Sequence, residues 1–309
     1  MAVLHAVAVQ SGRTFELTAT GFHEGEIATQ RRAGVEADAK RLEGALDSAH
    51  LSAGASKFLA TQRFAALSGR DRDGALWISP LVAPPGFLHG RGDVLRVSAL
   101  PRGGDPLHEM PVGQQVGLIA IDFATRRRVR INGTLIDAGD AGLTVRVEQS
   151  YGNCPKYIHR HDIDTSAFAA TPSIRVRRAT FLDPADRAMI TASDTFFLGT
   201  THPTQGSDAS HRGGPPGFVR VDSPSRLWWP DYPGNNMFNS FGNLAVDGAA
   251  ALLFLDFVTG ATLHVSGTAQ VRWTEAGAAG DDGGVGRRVA FSVTGVVALD
   301  DLRSASPKG

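Results

Sequence analysis

Four short strings recur in the same order along this chain, and a duplication constrains a fold more tightly than any composition does. Phe58-Leu59-Ala60-Thr61 resembles Phe197-Leu198-Gly199-Thr200, at an offset of 139, and both read as short apolar strands. Pro84-Pro85-Gly86-Phe87 recurs as Pro215-Pro216-Gly217-Phe218, at an offset of 131. Ile121-Asp122-Phe123-Ala124-Thr125 answers to Leu255-Asp256-Phe257-Val258-Thr259, and Gly133-Thr134 to Gly267-Thr268, both at 134. Ordered matches with nearly constant spacing predict two copies of one unit, with length differences in turns.

Each copy reads as strand-rich. Val116 to Asp122 and Ala250 to Phe257 are apolar runs of strand length, while Arg128 to Gly133, Leu143 to Val147 and Val289 to Thr294 alternate at period two. The 36 Gly and 16 Pro among 309 residues supply the turns between short strands. The expected class is mainly β with peripheral helices, one small antiparallel barrel or sandwich per copy. We divide the chain into an N-terminal extension (1–52), a first unit (53–165) and a second (166–309). Glu24 to Ala49 reads as helical despite Gly25, Gly34 and Gly44. Asp183 before Pro184 predicts a capped short helix to Ile190. Glu275 to Gly286 has no periodicity and reads as a flexible loop.

Composition excludes several classes. With 31 basic and 31 acidic side chains the formal charge is zero, so no overall attraction to nucleic acid or an anionic membrane surface is expected. The longest strongly apolar run, Ala249 to Leu255, is far below the roughly 20 residues of a membrane span. The opening MAVLHAVAVQSG lacks a basic start and a long apolar stretch, and a cytoplasmic protein is expected. Cys154 is the single cysteine and reads as a packed residue, although Lys156 is near in sequence. His159-Arg160-His161-Asp162 has metal-capable groups but reads as a solvated face, and no metal is expected. Arg126-Arg127-Arg128 with Arg130 forms a basic patch that reads as an exposed turn, with phosphate steering as the alternative. Phosphate-loop, dinucleotide-binding, nucleophile-elbow and zinc-protease motifs do not occur.

The two copies differ most between Ser210 and Asn243, where the second is rich in polar and aromatic groups. After Tyr232-Pro233-Gly234, either Asn235 or Asn236 is placed to cap a helix carrying Met237, Phe238, Phe241, Leu244 and Ala245 at helical spacing. A helix start of that kind suits a phosphate. Arg212 would supply a fixed guanidinium, with Gly213 and Gly214 allowing close approach. Taken singly, each residue has an ordinary structural reading as a cap or a turn. Their concentration in one segment points to a site.

Ser210-His211-Arg212-Gly213-Gly214-Pro215-Pro216-Gly217-Phe218, then Asp231-Tyr232-Pro233-Gly234-Asn235-Asn236, Gly242-Asn243-Leu244 and Leu255-Asp256-Phe257 resemble the flavin-nucleotide-binding relatives of pyridoxamine 5'-phosphate oxidase. The resemblance implies FMN-binding split barrels that pair, with the flavin held between two barrels. The first copy has Trp77-Ile78-Ser79-Pro80-Leu81-Val82-Ala83 in place of the Ser-His-Arg-Gly-Gly string, and Arg102-Gly103-Gly104 falls after Pro-Pro-Gly-Phe rather than before it. It keeps Tyr151-Gly152-Asn153-Cys154-Pro155-Lys156-Tyr157-Ile158, similar to a segment that follows the last strand in the same family. The resemblance therefore implies an intrachain pseudo-dimer with one working flavin site.

By that resemblance Arg212, Asn235 and Asn236 would hold the phosphate and ribityl end, and Trp229, Asp231 and Tyr232 would line the wall. Ser210, His211 and Gly213 would enter the site on a strand, and Asn153, Lys156 and Tyr157 would close it from the first barrel. His211 and Tyr232 are the candidate proton donors. Asn235-Asn236 stands where a basic pair is expected, which argues against pyridoxamine phosphate itself as substrate. The implied function is FMN-dependent oxidoreduction of a small-molecule substrate, with NAD(P)H as a candidate donor, in a monomer or homodimer. The alternatives are a flavin carrier or sensor without turnover, and a barrel that binds deazaflavin or haem.

Overall fold

The computed structural model describes residues 21–46, 49–152, 155–168 and 174–301. Two antiparallel sheets make up most of it. The first contains β1 (Phe64–Arg70), β2 (Leu76–Val82), β3 (Leu88–Arg91), β4 (Val94–Val97), β5 (Gln115–Asp122), β6 (Arg127–Gly139) and β7 (Gly142–Gly152), in the order β2-β1-β5-β6-β7-β4-β3. After β8 (Ile174–Ala179), the second contains β9 (Thr195–His202), β10 (Gly206–Gly213), β11 (Arg220–Ser223), β12 (Arg226–Pro230), β13 (Ala249–Leu255), β14 (Thr262–Trp273) and β15 (Arg287–Asp301). Its order, β10-β9-β13-β14-β15-β12-β11, repeats the first strand for strand, and β8 adds to the far half of β15. The chain is mainly β, as two tandem split barrels.

Registers correct one of the four repeat matches. Leu67 pairs with Leu118 across β1 and β5, and Leu198 pairs with Leu252 across β9 and β13. Leu118 and Leu252 are equivalent at the offset of 134, so Leu198 answers to Leu67, at the same 131 as Pro-Pro-Gly-Phe. Phe58-Leu59-Ala60 is not a strand but the end of helix α3 (Ala53–Ala60), whose N-cap Ser52 accepts from the Ala55 N–H. Four apolar letters are too few to separate a helix from a strand by period.

The continuous apolar runs have a simple cause: the central strands are covered on both faces. In β13, Ala250, Leu252 and Phe254 enter the second barrel's core, whereas Ala251, Leu253 and Leu255 face the first barrel. In β5, Val116, Leu118 and Ala120 point into the first barrel while Ile119 and Ile121 join that shared layer. Phe64, Ile78, Phe197 and Ala209 are also part of it. The shared layer is fully buried and holds the barrels face to face.

Helices sit at the periphery. Helix α4 (Pro184–Ala192) precedes β9 as α3 precedes β1, and its Asp183–Asp186 capping box matches the sequence expectation. The stretch from Glu24 is not one helix but α1 (Glu24–Arg32), α2 (Glu36–Lys40) and a short turn of helix at Glu43–Ala45. Gly34, at φ +71°, ends α1 in the left-handed conformation that its missing Cβ permits. Helix α1 crosses α5 (Asn239–Val246) so closely that a Cβ on Gly25 would meet the Gly242 carbonyl, and one on Gly242 would meet Glu26. The 275–286 stretch is held rather than free, since the Asp281 carboxylate accepts from the N–H groups of Gly277 and Gly286 at 2.8 Å. Among the described residues, no helix is long and apolar enough to cross a membrane.

Candidate functional site

The face between the barrels opens at one end into a pocket built by both. From the second barrel come Ser210, His211, Arg212 and Gly213 on β10, Trp229 and Asp231 at the end of β12, then Tyr232, Asn235, Asn236 and the start of α5. Lys156 and Tyr157 of the covering segment close it from the first barrel, joined by Ile119, Arg128 and Arg130. Eleven of the twelve residues expected in the site therefore line one cavity, and Asn153, like Cys154, lies outside the described residues.

Strand β10 sets the geometry because its edge position leaves Arg212 and His211 beside the partner barrel. The Arg212 guanidinium lies 3.7 Å from Asp231, while Arg287 takes the other oxygen of the same carboxylate at 2.8 Å. One negative charge is shared by two cations, and burial holds Arg212 below the usual arginine range. Arg212 also lies over the Phe241 ring at 5.2 Å, and Arg287 over Phe238 at 5.0 Å. Among the described residues, the buried lining donors Arg212 Nε, His211 Nε2, Trp229 Nε1 and Arg130 Nε have no hydrogen-bond partner. Buried donors without acceptors are costly, so the pocket is matched to an acceptor-rich ligand.

The floor is a polar network. Asp208 on β10 forms a buried ion pair with Arg130 of β6 in the first barrel. Ser240 donates at 3.0 Å to Asp208 and contacts Ser210 at the same distance. Asn239, which also lines the pocket, donates to Glu26 of α1 at 2.5 Å. Glu26 accepts from the His23 N–H at 2.8 Å as well, and burial pushes its carboxyl up to about 7.

Several expectations need correction here. Neither Asn235 nor Asn236 caps α5. The helix begins at Asn239, its N-cap Phe238 is left-handed at φ 60° without a side-chain cap, and Asn235 instead accepts from the Met237 N–H. Left-handed backbone at Asn236 (φ 61°) and Phe238 (φ 60°) delays the helix beyond the point its apolar spacing suggested. Arg126 and Arg127 are exposed as expected of a turn, but Arg128 and Arg130 point between the barrels. Their period-two spacing on a strand was the signal that places both on one face. His159 and His161 are not a solvated face: His161 stacks on Phe257 at 4.1 Å and contacts Asp194 at 2.9 Å, with His159 at 3.4 Å from the same carboxylate. They pin the covering segment to the second barrel. Arg287, Asn239 and Ser240 carried no motif in the sequence and were missed.

At the lip, Tyr157 stacks on Tyr232 with ring centres 5.1 Å apart, and its hydroxyl donates to the Pro233 carbonyl at 3.2 Å. Burial raises the Tyr232 phenol above its usual range.

The mirror position is built differently. Ser79-Pro80-Leu81 occupies the place of Ser210-His211-Arg212, and His264, the equivalent of Arg130, is fully buried. His264 donates to the Ile78 carbonyl at 2.9 Å and accepts from Thr262 at 3.0 Å. Asp105 accepts from Ser79 at 2.5 Å, and Arg102 crosses to the Gly260 carbonyl at 2.9 Å. These groups satisfy one another.

The model of the pyridoxamine 5'-phosphate oxidase family matches residues 182–281, the part of the chain that carries β9 to β14 and the pocket's aromatic wall. That match spans about a third of the chain and lies within the second barrel. A putative pyridoxamine 5'-phosphate oxidase from Lactobacillus delbrueckii is similar at 16% identity and a TM-score of 0.32, over 38% of this chain and 94% of its own. HupZ of group A Streptococcus is similar at 14% identity and 0.30, over 41% and 99%. An FAD-binding protein of Mycobacterium smegmatis is similar at 13% and 0.28, over 40% and 100%. No curated protein matches the chain. The second-barrel residues expected in the site, Ser210 to Asn236, all fall within the matched span.

Proposed function

We propose that this chain binds one FMN between its barrels and uses it for oxidoreduction of a small molecule. The observation that carries the reading is the set of unpartnered buried donors, Arg212 Nε, His211 Nε2 and Trp229 Nε1, around a cation that holds only part of a counter-charge. A phosphate and the carbonyl groups of a flavin ring are the acceptors such a lining lacks. FMN, when bound, supplies the hydride chemistry, and the protein positions it and excludes water.

Arg212 is assigned to the phosphate, with Asn235 and Asn236 along the ribityl chain. Tyr157, Tyr232 and Trp229 form the apolar wall, and Lys156 closes the mouth. One site per chain follows from the mirror position, where His264, Thr262, Asp105 and Ser79 already satisfy each other. The test is the mass of whatever copurifies, together with FMN titration of stripped protein. FMN released from yellow protein, or tight binding of added FMN, supports the proposal. A colourless protein that takes up none, or that releases haem or a deazaflavin, refutes it. Bleaching by NADH or NADPH with turnover on reoxidation separates an enzyme from a carrier.

A further inference from the structure

We propose that Arg128 is a positioning residue that locks His211 in the tautomer with its proton on Nε2, so that the pocket offers a fixed hydrogen-bond donor to a carbonyl oxygen or ring nitrogen of the bound ligand. The geometry is specific. Arg128 Nη1 lies 3.4 Å from His211 Nδ1, and a guanidinium can only donate, so Nδ1 must be the accepting nitrogen. The remaining ring proton then sits on Nε2, which is buried in the pocket lining without a partner. Edge-on contacts with Phe197 at 5.7 Å and Phe123 at 6.3 Å fix the ring plane. Arg128 belongs to the first barrel and His211 to the second, so the lock exists only across the shared face.

The surroundings decide what kind of donor this is. His211 faces Arg128 from β6, Arg212 from its own strand, and His159 and His161 from the covering segment, where Asp194 contacts both. Burial first, and then these neighbouring charges, hold His211 well below the ordinary histidine range. The ring therefore donates a hydrogen bond without adding a third cation beside Arg128 and Arg212. An uncharged acceptor is the matching group, whereas an anion would favour an imidazolium that the neighbours oppose. In the FMN reading, on which the ligand's identity rests, this assigns His211 to a heteroatom of the ring system and leaves the phosphate to Arg212. A ligand without an acceptor at that place leaves the buried N–H unpaired and binds less tightly.

The test uses the full chain with 15N confined to histidine. Long-range 1H–15N spectra of the free protein, with the His211 ring assigned by its loss in His211→Gln, are expected to show an unprotonated Nδ1 and a protonated Nε2. They should not change between about pH 6 and 8, the range in which an ordinary histidine titrates. Arg128→Leu should mix the tautomers and restore titration, and Arg128→Lys should return the wild-type pattern. Added FMN should shift the Nε2–H signal, and His211→Gln should bind FMN about tenfold more weakly. A protonated Nδ1 in the free wild type overturns the lock whether or not the variants fold, and so does an Arg128→Leu spectrum equal to wild type. Bound FMN that leaves Nε2–H unmoved overturns the donor role. Failure of FMN to bind refutes the cofactor reading alone, because the free-protein spectra still decide the tautomer.

Discussion

The backbone carbonyl of Tyr157 occupies the place that a side chain on Gly213 would need. Residue 213 ends strand β10 of the second barrel, and Tyr157 belongs to the segment that closes the pocket from the first. The two chains of contact meet at this glycine. Gly213→Ala must push the covering segment outward, since a backbone carbonyl cannot swing aside as a side chain tip can. FMN affinity should fall by about 1–3 kcal/mol, the usual scale of overpacking, while the circular dichroism spectrum stays unchanged. Fluorescence quenching of FMN on titration checks this, and an affinity equal to wild type would show that the segment does not close over the ligand.

Arg212 and Arg287 share Asp231, which makes their substitutions unequal. Arg212→Ala removes the group assigned to the phosphate and should weaken FMN binding by about 1.5–3 kcal/mol. Arg287→Ala leaves Arg212 in place but gives it the whole of Asp231, so binding should weaken by a smaller amount. Isothermal titration of both variants and the double variant decides, with the double expected to cost less than the sum of the singles.

Glu26 predicts how stability depends on pH. Its folded pKa of about 7 lies above the ordinary value of 4.5, so the folded state binds the proton more tightly than the unfolded one. The contribution is present below the unfolded pKa and is lost as pH rises through the folded one. Between about pH 4.5 and 7 the chain should lose roughly 2–4 kcal/mol from this group alone. Denaturant unfolding at several pH values measures it, and Glu26→Gln should flatten that part of the curve.

Stoichiometry tests the asymmetry of the barrels. Calorimetric titration should give one FMN per chain, and a value of two would mean that the mirror position opens. His264→Ala, which removes the ring bridging Ile78 and Thr262, should lower stability by a few kcal/mol through an unsatisfied carbonyl and a cavity. It should leave FMN affinity unchanged.

Much of this was readable in the letters alone. Repeated strings located two barrels because strand and turn chemistry is local, and Asp183-Pro184 marked α4 for the same reason. The segment 210–243 announced a pocket by carrying more polar and aromatic groups than a strand needs. What stayed hidden was non-local. Arg128 and Arg130 look like a turn's charges until β6 is laid against β10, and Asp208 is an ordinary acidic letter until Arg130 crosses the shared face. Arg287 lies far from the motif in sequence and reaches Asp231 only through the pairing of β12 with β15. Phe58-Leu59-Ala60 misled because a run shorter than one helical turn shows no period.

Joining both barrels in one polypeptide changes what a single substitution can reach. In a homodimer every altered residue appears twice, once on each side of the axis, and a change that helps one cleft is imposed on the other. Here Arg130 and its counterpart His264 are separate codons. One side was free to fill with self-satisfied side chains and stiffen the joint, while the opposite side kept donors that its own protein leaves unanswered.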